Sequence, residues 1–210
     1  RMAVETIVGF FKATQDDQQL TWPFKMDHGH RYDVNRMVTA IKLANLKIHE
    51  QAQKDPRCHG MGTTVVSTLF LDRALIVGHV GDSRLYRRRD GVMKQLTEDH
   101  SLVGDLMRSG RLTPEEAEAH PQRSVITRAL GSEPEVDVDT TSIDVRPGDL
   151  FLLWSDGLTD ALTHEEIANV LGVHTDDLPS AAGALVERAV ARGERTMHDN
   201  VTVILIYVEG

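Results

Sequence analysis

The sequence predicts an α+β protein in which antiparallel sheet layers are covered by helices. Apolar residues at helical spacing come first, short β-branched runs follow, and helical texture returns before one final strand. A parallel sheet would instead require strands and helices that alternate regularly. Neither common glycine-rich nucleotide-binding loop is present, which argues against a P-loop kinase or a Rossmann enzyme.

The first half of the chain predicts two helices and then a group of strands. Apolar residues recur with helical spacing over 2–11 and over 34–52. The polar stretch 16–33 between them is typical of a loop. Over 63–96, β-branched runs separated by acidic or glycine-containing dipeptides predict an antiparallel meander.

A basic cluster, Arg87-Arg88-Arg89, precedes Asp90-Gly91 in this meander. Asp-Gly favours a tight hairpin turn, so Leu85-Tyr86 and Val92-Met93 are predicted to pair as strands. The three arginines then form a solvated hairpin tip. The alternative is a patch that steers an anionic substrate, but charged runs more often simply face water.

The second half predicts further helices and strands. Thr113-Pro114 supplies a capping residue and a proline at the first helical position. Two short helices are predicted over 101–119, and strands over 136–145 and 150–154. Helices are predicted from 163 onwards and over 178–192, and a last strand over 201–208.

Composition excludes several classes of protein. A chain of 210 residues is long enough for one domain with a proper core. The formal net charge of -9 argues against nonspecific nucleic-acid binding, which requires clustered cations. No apolar run could cross a bilayer. The single cysteine, Cys58, fits a reducing compartment, so a cytoplasmic location is expected.

Three hydrophobic runs each meet a small acidic turn, at Asp82, Asp156 and Asp199. Any one of these aspartates alone could be a plain turn former. Three carboxylates at the ends of buried strands are, however, how a rigid sheet holds hard cations beside water and substrate. The pattern therefore predicts a divalent-metal hydrolase.

Six short blocks, in this order along the chain, resemble those of the metal-dependent Ser/Thr protein phosphatases of type 2C in their compact bacterial form. They are Gly81-Asp82-Ser83-Arg84, Leu96-Thr97-Glu98-Asp99-His100-Ser101, His120-Pro121-Gln122-Arg123, Ile126-Thr127-Arg128-Ala129-Leu130-Gly131, Ser155-Asp156-Gly157-Leu158 and Asp199-Asn200-Val201-Thr202. Each block is weak evidence alone, but six in order are not expected by coincidence.

The resemblance implies a four-layer αββα fold, an antiparallel β-sandwich flanked by helices. It implies hydrolysis of phosphoserine and phosphothreonine monoesters through a metal-bound water, with two or three Mn²⁺ or Mg²⁺ ions. Phosphorylated proteins are the implied substrates, with a Ser/Thr kinase among the partners. We expect a monomer without a membrane span.

The resemblance also implies residue roles. Asp156 and Asp199 resemble the carboxylates of the core metal pair, and Asp82 resembles the ligand that forms a weaker third site with Asp156. Asn200 would orient Asp199. The remaining implied residues support the ligands or lie in a flap over 100–128 that meets the substrate; they are Ser155, Gly157, His100, His120 and Arg128.

The histidines and arginines near these ligands have separate interpretations. His100 and His120 are expected to reach substrate better than His79, whose alternating strand position favours a structural histidine. Arg128 could contact phosphate or pair with an acid such as Glu133. Arg84 is expected to support Asp82 through an ion pair.

One departure from the family pattern matters. Family members carry an N-terminal segment with a phosphate-binding Arg and an Asp-Gly turn that bridges both core metals, and neither precedes 2–7 here. The expectation is a single, N-terminally truncated phosphatase domain over 1–210 that turns over poorly alone. The alternatives are a pseudophosphatase or regulatory binding domain with an incomplete metal site, and a two-metal phosphodiesterase.

Overall fold

The computed structural model describes residues 1–15, 23–173, 177–193 and 200–210. These residues form two compact units. The first unit comprises Arg1–Gly81 and His100–Asp144, and the second comprises Asp82–Asp99 and Val145–Gly210. The chain therefore crosses from the first unit into the second at Gly81, returns at His100, and crosses again after Asp144.

The helices and strands follow the predicted order, with one further helix between the strand that ends at Trp154 and the helix predicted from 163 onwards. The helices are α1 (Met2–Ala13), α2 (Tyr32–Lys54), α3 (Leu102–Arg108), α4 (Pro114–Glu118), α5 (Asp156–Ala161), α6 (His164–Val173) and α7 (Leu178–Gly193). The strands are β1 (Val65–Leu71), β2 (Ala74–Val80), β3 (Arg84–Arg89), β4 (Val92–Gln95), β5 (Asp139–Asp144), β6 (Leu150–Trp154) and β7 (Val203–Tyr207). The predicted α+β class with antiparallel sheets and flanking helices is confirmed.

The first unit is built on a three-stranded sheet in the order β1-β2-β5, with both pairs antiparallel. Its core joins the apolar faces of α1 and α2 to the sheet, and Ile41 and Ile76 are fully buried in it. Gly78 lets α2 approach closely, because a Cβ there would lie 2.4 Å from the Met37 side chain. Burial of this helical stripe, more than helix propensity, stabilises α2.

The second unit is built on a four-stranded antiparallel sheet in the order β4-β3-β6-β7. Leu152 and Trp154 of β6 pack with α5, α6 and α7 in a separate hydrophobic core. Thr163 caps α6, since the Glu166 N–H donates to its hydroxyl while the Glu166 carboxylate accepts from the Thr163 N–H. This reciprocal cap satisfies donors that a helix otherwise leaves unpaired.

The prediction of one continuous meander over 63–96 is wrong. The hairpin of β1 and β2 belongs to the first sheet, and the hairpin of β3 and β4 belongs to the second. The chain leaves the first sheet at Gly81, whose φ of +111° suits glycine alone, and a Cβ there would lie 2.3 Å from Thr64. A short dipeptide turn therefore ends a sheet here rather than reversing a strand within it.

Two local predictions also need correction. The Asp90-Gly91 turn exists, with φ of 51° and 78°, but Arg89 pairs with Val92 and belongs to β3. The arginines are thus strand residues and not a solvated hairpin tip. In addition, Asp156 begins α5 instead of lying in a simple turn.

Other predictions fall partly outside the described residues or concern membranes. The loop predicted over 16–33 is described only from residue 23 onwards. Within the described residues, no helix combines the length and the apolar character needed to cross a membrane.

Candidate metal centre

Strand register brings Asp82 and Asp156 to the same end of the second sheet. Arg84, the first residue of β3, lies opposite Trp154, the last residue of β6. Asp82 precedes Arg84 by two residues and Asp156 follows Trp154 by two. Antiparallel pairing therefore places both aspartates just beyond the same end of the paired strands β3 and β6. We call Asp82 and Asp156 the acidic pair.

The electrostatics of the acidic pair favour a cation. Burial, and then the neighbouring Asp156 carboxylate, raise the pKa of Asp82 from 3.8 to about 6. Two like charges close together oppose each other's ionisation. A divalent cation between carboxylate oxygens would remove that opposition, and oxygen ligands suit Mg²⁺ or Mn²⁺. The residues present therefore fit a hard divalent ion.

Arg84 does not form the expected ion pair with Asp82. Its guanidinium donates to Asp99, with Nη2 at 2.6 Å from Oδ2 and Nε at 3.0 Å from both carboxylate oxygens. Gln95 also donates to Asp99, at 3.0 Å. The Arg84 charge lowers the pKa of Asp82 by less than burial and the Asp156 carboxylate raise it.

Ser155 links the end of β6 to the chain that enters β7. Its hydroxyl donates to the Asn200 carbonyl at 2.9 Å and accepts from the Thr202 N–H at 3.0 Å. The Ser155 N–H in turn donates to the Thr202 carbonyl at 3.2 Å. The segment that begins at Asn200 is therefore fastened next to Asp156.

Asp156 is oriented by its own helix. The Gly157 N–H donates to Asp156 Oδ1 at 2.9 Å, and Gly157 is buried. The roles predicted for Ser155, Gly157 and Asn200 stay predictions with these contacts in support. Asp199, the third predicted carboxylate, lies outside the described residues.

The residues predicted to face substrate in the flap are differently placed. His100 is only 3% exposed, so the expectation that it reaches substrate better than His79 is wrong. His120 is half-buried, and its Nδ1 accepts from the Gln122 N–H at 3.1 Å. Arg128 donates to Asp139 at 2.6 Å rather than pairing with the suggested Glu133.

His79, His100 and Asp139 form a second cluster of ligand-type side chains, with their ligand atoms within 4.8 Å of one another. The hydrogen bonds argue against a metal there. His100 Nδ1 accepts from a backbone N–H, so the neutral ring carries its proton on Nε2, the atom that faces Asp139 at 3.1 Å. The Arg128 guanidinium already balances the Asp139 charge. The charges of this cluster are therefore compensated among its own residues and Arg128.

Comparison with known proteins identifies the family. The family model described as protein phosphatase 2C matches residues 1–192. The chain belongs to the protein phosphatase 2C family. Its similarity to "Protein phosphatase PhpP" of Streptococcus pneumoniae is 41% identity over 168 residues, which is 79% of this chain and 65% of that protein.

Solved structures agree with this protein phosphatase 2C assignment. The serine/threonine phosphatase PstP/Ppp of Mycobacterium tuberculosis superposes with a TM-score of 0.82 at 35% identity, covering 99% of this chain and 82% of that one. The catalytic domain of PstP, solved with two manganese ions, gives a TM-score of 0.76 at 32% identity, covering 99% and 81%. The chain spans 65% of the length of the curated PhpP relative.

Sequence reasoning overlooked two features of this protein phosphatase 2C chain. Asp139 was treated only as part of a strand, although it contacts both His100 and Arg128. Asp149 lies next to the strand predicted over 150–154, and it is fully buried against Arg89. Asp139 is 39 residues from His100 and Asp149 is 60 from Arg89, so no local pattern indicates either pairing.

Proposed function

We propose that this chain carries the metal centre of a protein serine/threonine phosphatase, which hydrolyses phosphoserine and phosphothreonine monoesters with the help of Mn²⁺ or Mg²⁺. The observation that carries the proposal is the acidic pair, a half-buried Asp82 whose pKa is raised to about 6 beside Asp156. Two carboxylates that oppose each other in this way are costly unless a cation joins them. Membership of the protein phosphatase 2C family supports the same chemistry.

The substrate explains why a cation is needed. A phosphate monoester is a dianion, and the acidic pair alone would repel it. Divalent ions held by these carboxylates would supply the positive field that a phosphate requires and would lower the pKa of the attacking water. The PstP catalytic domain solved with two manganese ions is a precedent in a related protein.

The residues of this chain have separable roles in the proposal. Asp82 and Asp156 hold the cation, with Asp199 as the further predicted ligand. Ser155 orients the pair by fastening the chain at Asn200 beside Asp156. Arg128 is engaged by Asp139, so we do not assign it to the phosphate.

The proposed substrates are phosphorylated proteins, with a Ser/Thr kinase among them. The names of the curated relatives, which include a "Serine/threonine protein phosphatase PstP" of Mycobacterium tuberculosis, support phosphorylated proteins as substrates. The kinase is what the family resemblance implies. We further propose a monomer that acts in the cytoplasm, in keeping with the single cysteine, Cys58.

The direct test is manganese-dependent release of phosphate from a phosphothreonine peptide. It should be run on the chain alone and on the chain extended by whatever its reading frame encodes upstream. Asp156→Asn removes a proposed ligand, and Asp160→Asn removes an exposed charge from the same helix as a matched control. We expect turnover that needs Mn²⁺, is lost in Asp156→Asn and is retained in Asp160→Asn.

Two results would contradict the proposal. Faster hydrolysis of a phosphodiester than of the phosphopeptide would indicate a phosphodiesterase. Binding of Mn²⁺ without turnover by any version of the chain would favour a regulatory binding domain.

A further inference from the structure

The backbone of Gly81, the residue directly before Asp82, is held by two buried histidines. The Gly81 N–H donates to His100 Nδ1 at 3.0 Å, and the Gly81 carbonyl accepts from the His100 N–H at 2.9 Å. The same carbonyl lies 3.0 Å from His79 Nε2. A carbonyl only accepts, so His79 carries its proton on Nε2. We call His79, His100 and the Gly81 backbone they hold the histidine clamp.

Both rings of the histidine clamp are rigidly placed. His79 and His100 are 2% and 3% exposed, and their ring centroids lie 4.3 Å apart. Asp139 accepts from His100 Nε2 at 3.1 Å, which fixes the tautomer that leaves Nδ1 as an acceptor. Burial lowers the pKa of His100, and a neutral ring is the form that can accept from Gly81.

Gly81 has particular need of such support. Its φ of +111° lies in the region that favours glycine, and a Cβ would lie 2.3 Å from Thr64. Glycine is obligatory here, yet glycine is also the residue with the greatest backbone freedom. Without hydrogen bonds to other residues, the direction in which the chain leaves Gly81 would be poorly defined. That direction determines the position of the Asp82 backbone and hence of its carboxylate.

We propose that His79 and His100 are positioning residues that fix the backbone on both sides of Gly81 and so aim the Asp82 carboxylate at a divalent cation. The inference rests on the proposed function, since it requires Asp82 to bind the ion. Groups that orient a ligand without touching the metal typically change metal affinity by about 10- to 100-fold when removed. Neither histidine contacts the phosphate or the metal in this proposal.

Isosteric substitutions can separate the clamp from general packing. In His100→Asn an amide oxygen can occupy the position of Nδ1, whereas in His100→Gln the polar atoms reach the position of Nε2 and the acceptor for Gly81 is lost. The reverse holds for His79, where Gln can place a donor near Nε2 and Asn cannot. Mn²⁺ binding by calorimetry and hydrogen exchange of the Gly81 amide should be measured in the full protein.

We expect His100→Gln to weaken the Asp82-dependent Mn²⁺ site at least about tenfold and to speed exchange of the Gly81 amide. His100→Asn should stay within about threefold of the wild type, well inside the range that loss of an orienting group produces. For His79, Asn should weaken the site more than Gln. If His100→Gln fails to fold, the His79 pair decides the question in the same way.

The inference is overturned if the Asn and Gln variants of a histidine bind Mn²⁺ alike while both are folded. Asp82→Asn identifies which idea has failed. If Asp82→Asn loses no Mn²⁺ site, the metal centre itself is wrong, and the inference falls with it. If Asp82→Asn loses a site but neither histidine series does, only the clamp is wrong.

Discussion

At one end of the four-stranded sheet Asp149 is buried against Arg89, whereas at the other end Asp82 lies beside Asp156. Asp149 is 0% exposed, and Arg89 donates to its two oxygens at 2.6 and 2.7 Å. The Arg146 N–H adds a third bond at 2.9 Å. Burial alone would raise the pKa of Asp149, but these bonds lower it. Burial and the Asp156 charge instead raise the pKa of Asp82.

The difference separates a carboxylate with a structural partner, Asp149, from one that we propose binds a metal, Asp82. Asp149 is the more buried of the two and has the lower pKa, so the partner and not the burial decides. Its charge is satisfied within the protein. In the acidic pair, burial and the Asp156 charge instead raise the pKa of Asp82, and a bound cation would relieve the opposition between the two charges. Substitutions at the two ends should therefore have opposite consequences for stability and for activity.

The largest expected effect comes from removing the buried carboxylate of the Asp149–Arg89 ion pair. Asp149→Ala leaves Arg89, whose side chain is 19% exposed, without its carboxylate. Removing one partner of a buried ion pair costs about 3–5 kcal/mol. Urea unfolding in EDTA should show a loss of this order. Asp144→Ala, which removes a carboxylate from an exposed strand position, is the control. A loss below about 1 kcal/mol, the level of a surface pair, would contradict the assignment.

The second largest effect is expected from substitution within the acidic pair. Asp156→Asn should lower kcat/KM for a phosphothreonine peptide at saturating Mn²⁺ by at least about 100-fold, because removal of a ligand should exceed the loss caused by removal of an orienting group. Its unfolding free energy without metal should not fall, since a repulsive charge is removed. A variant that is destabilised in EDTA yet keeps its activity would reverse the comparison.

A smaller effect tests the support of the functional end. Ser155→Ala removes the hydroxyl that bonds to Asn200 and Thr202. We expect the Mn²⁺ affinity to fall about tenfold, as for other groups that orient a ligand. The loss of stability should be about 1 kcal/mol, the usual contribution of a hydrogen bond. Thr159→Ala, which removes a hydroxyl bond to the Asp156 carbonyl, is a matched control on α5. Equal loss of affinity in both variants would argue against a specific role for Ser155.

The smallest effect sharpens the comparison through pH. Because the folded pKa of Asp82 is raised, protonated Asp82 favours the folded state below about pH 3.8, and this contribution is lost as pH rises through about 6. Asp149, with its lowered pKa, contributes stability above the ordinary value of 3.8 that is lost as pH falls. The contributions of Asp82 and Asp149 to stability therefore change with pH in opposite directions.

The measurement is the unfolding free energy of Asp82→Asn against the wild type in EDTA. At pH 7 the variant should be equal in stability or more stable, by no more than about 1 kcal/mol, because solvent screens a half-exposed carboxylate. The difference should shrink towards pH 4. A variant that is clearly less stable at pH 7 would show that Asp82 is compensated after all.

Local pattern accounts for most elements and for the convergence of the acidic pair. Helical spacing gave α1 and α2, and the position of each aspartate beside a strand end was enough to place Asp82 near Asp156 once β3 and β6 paired. The break at Gly81 was not foreseen, because a glycine turn between two strands is the same in sequence whether it joins one sheet or two.

Contacts between residues far apart in the sequence were also not predicted. Arg89 was predicted to lie in a hairpin tip because its partner, Asp149, lies 60 residues further along the chain, after β4, α3, α4 and β5. His100 looked accessible because nothing near it in sequence indicates that Gly81 and Asp139 would enclose its ring. Such pairings depend on register and packing, which single-sequence patterns do not encode.

The central claim is that the acidic pair is completed by a divalent cation. The most direct test is the pKa of the Asp82 carboxyl, followed by carbon-detected NMR with and without saturating Mg²⁺, with Asp82→Asn used to assign the resonance. The account predicts a pKa of about 6 without the ion and a carboxylate that stays ionised to far lower pH with it. An ordinary pKa without Mg²⁺, or a raised pKa that Mg²⁺ leaves unchanged, would contradict it.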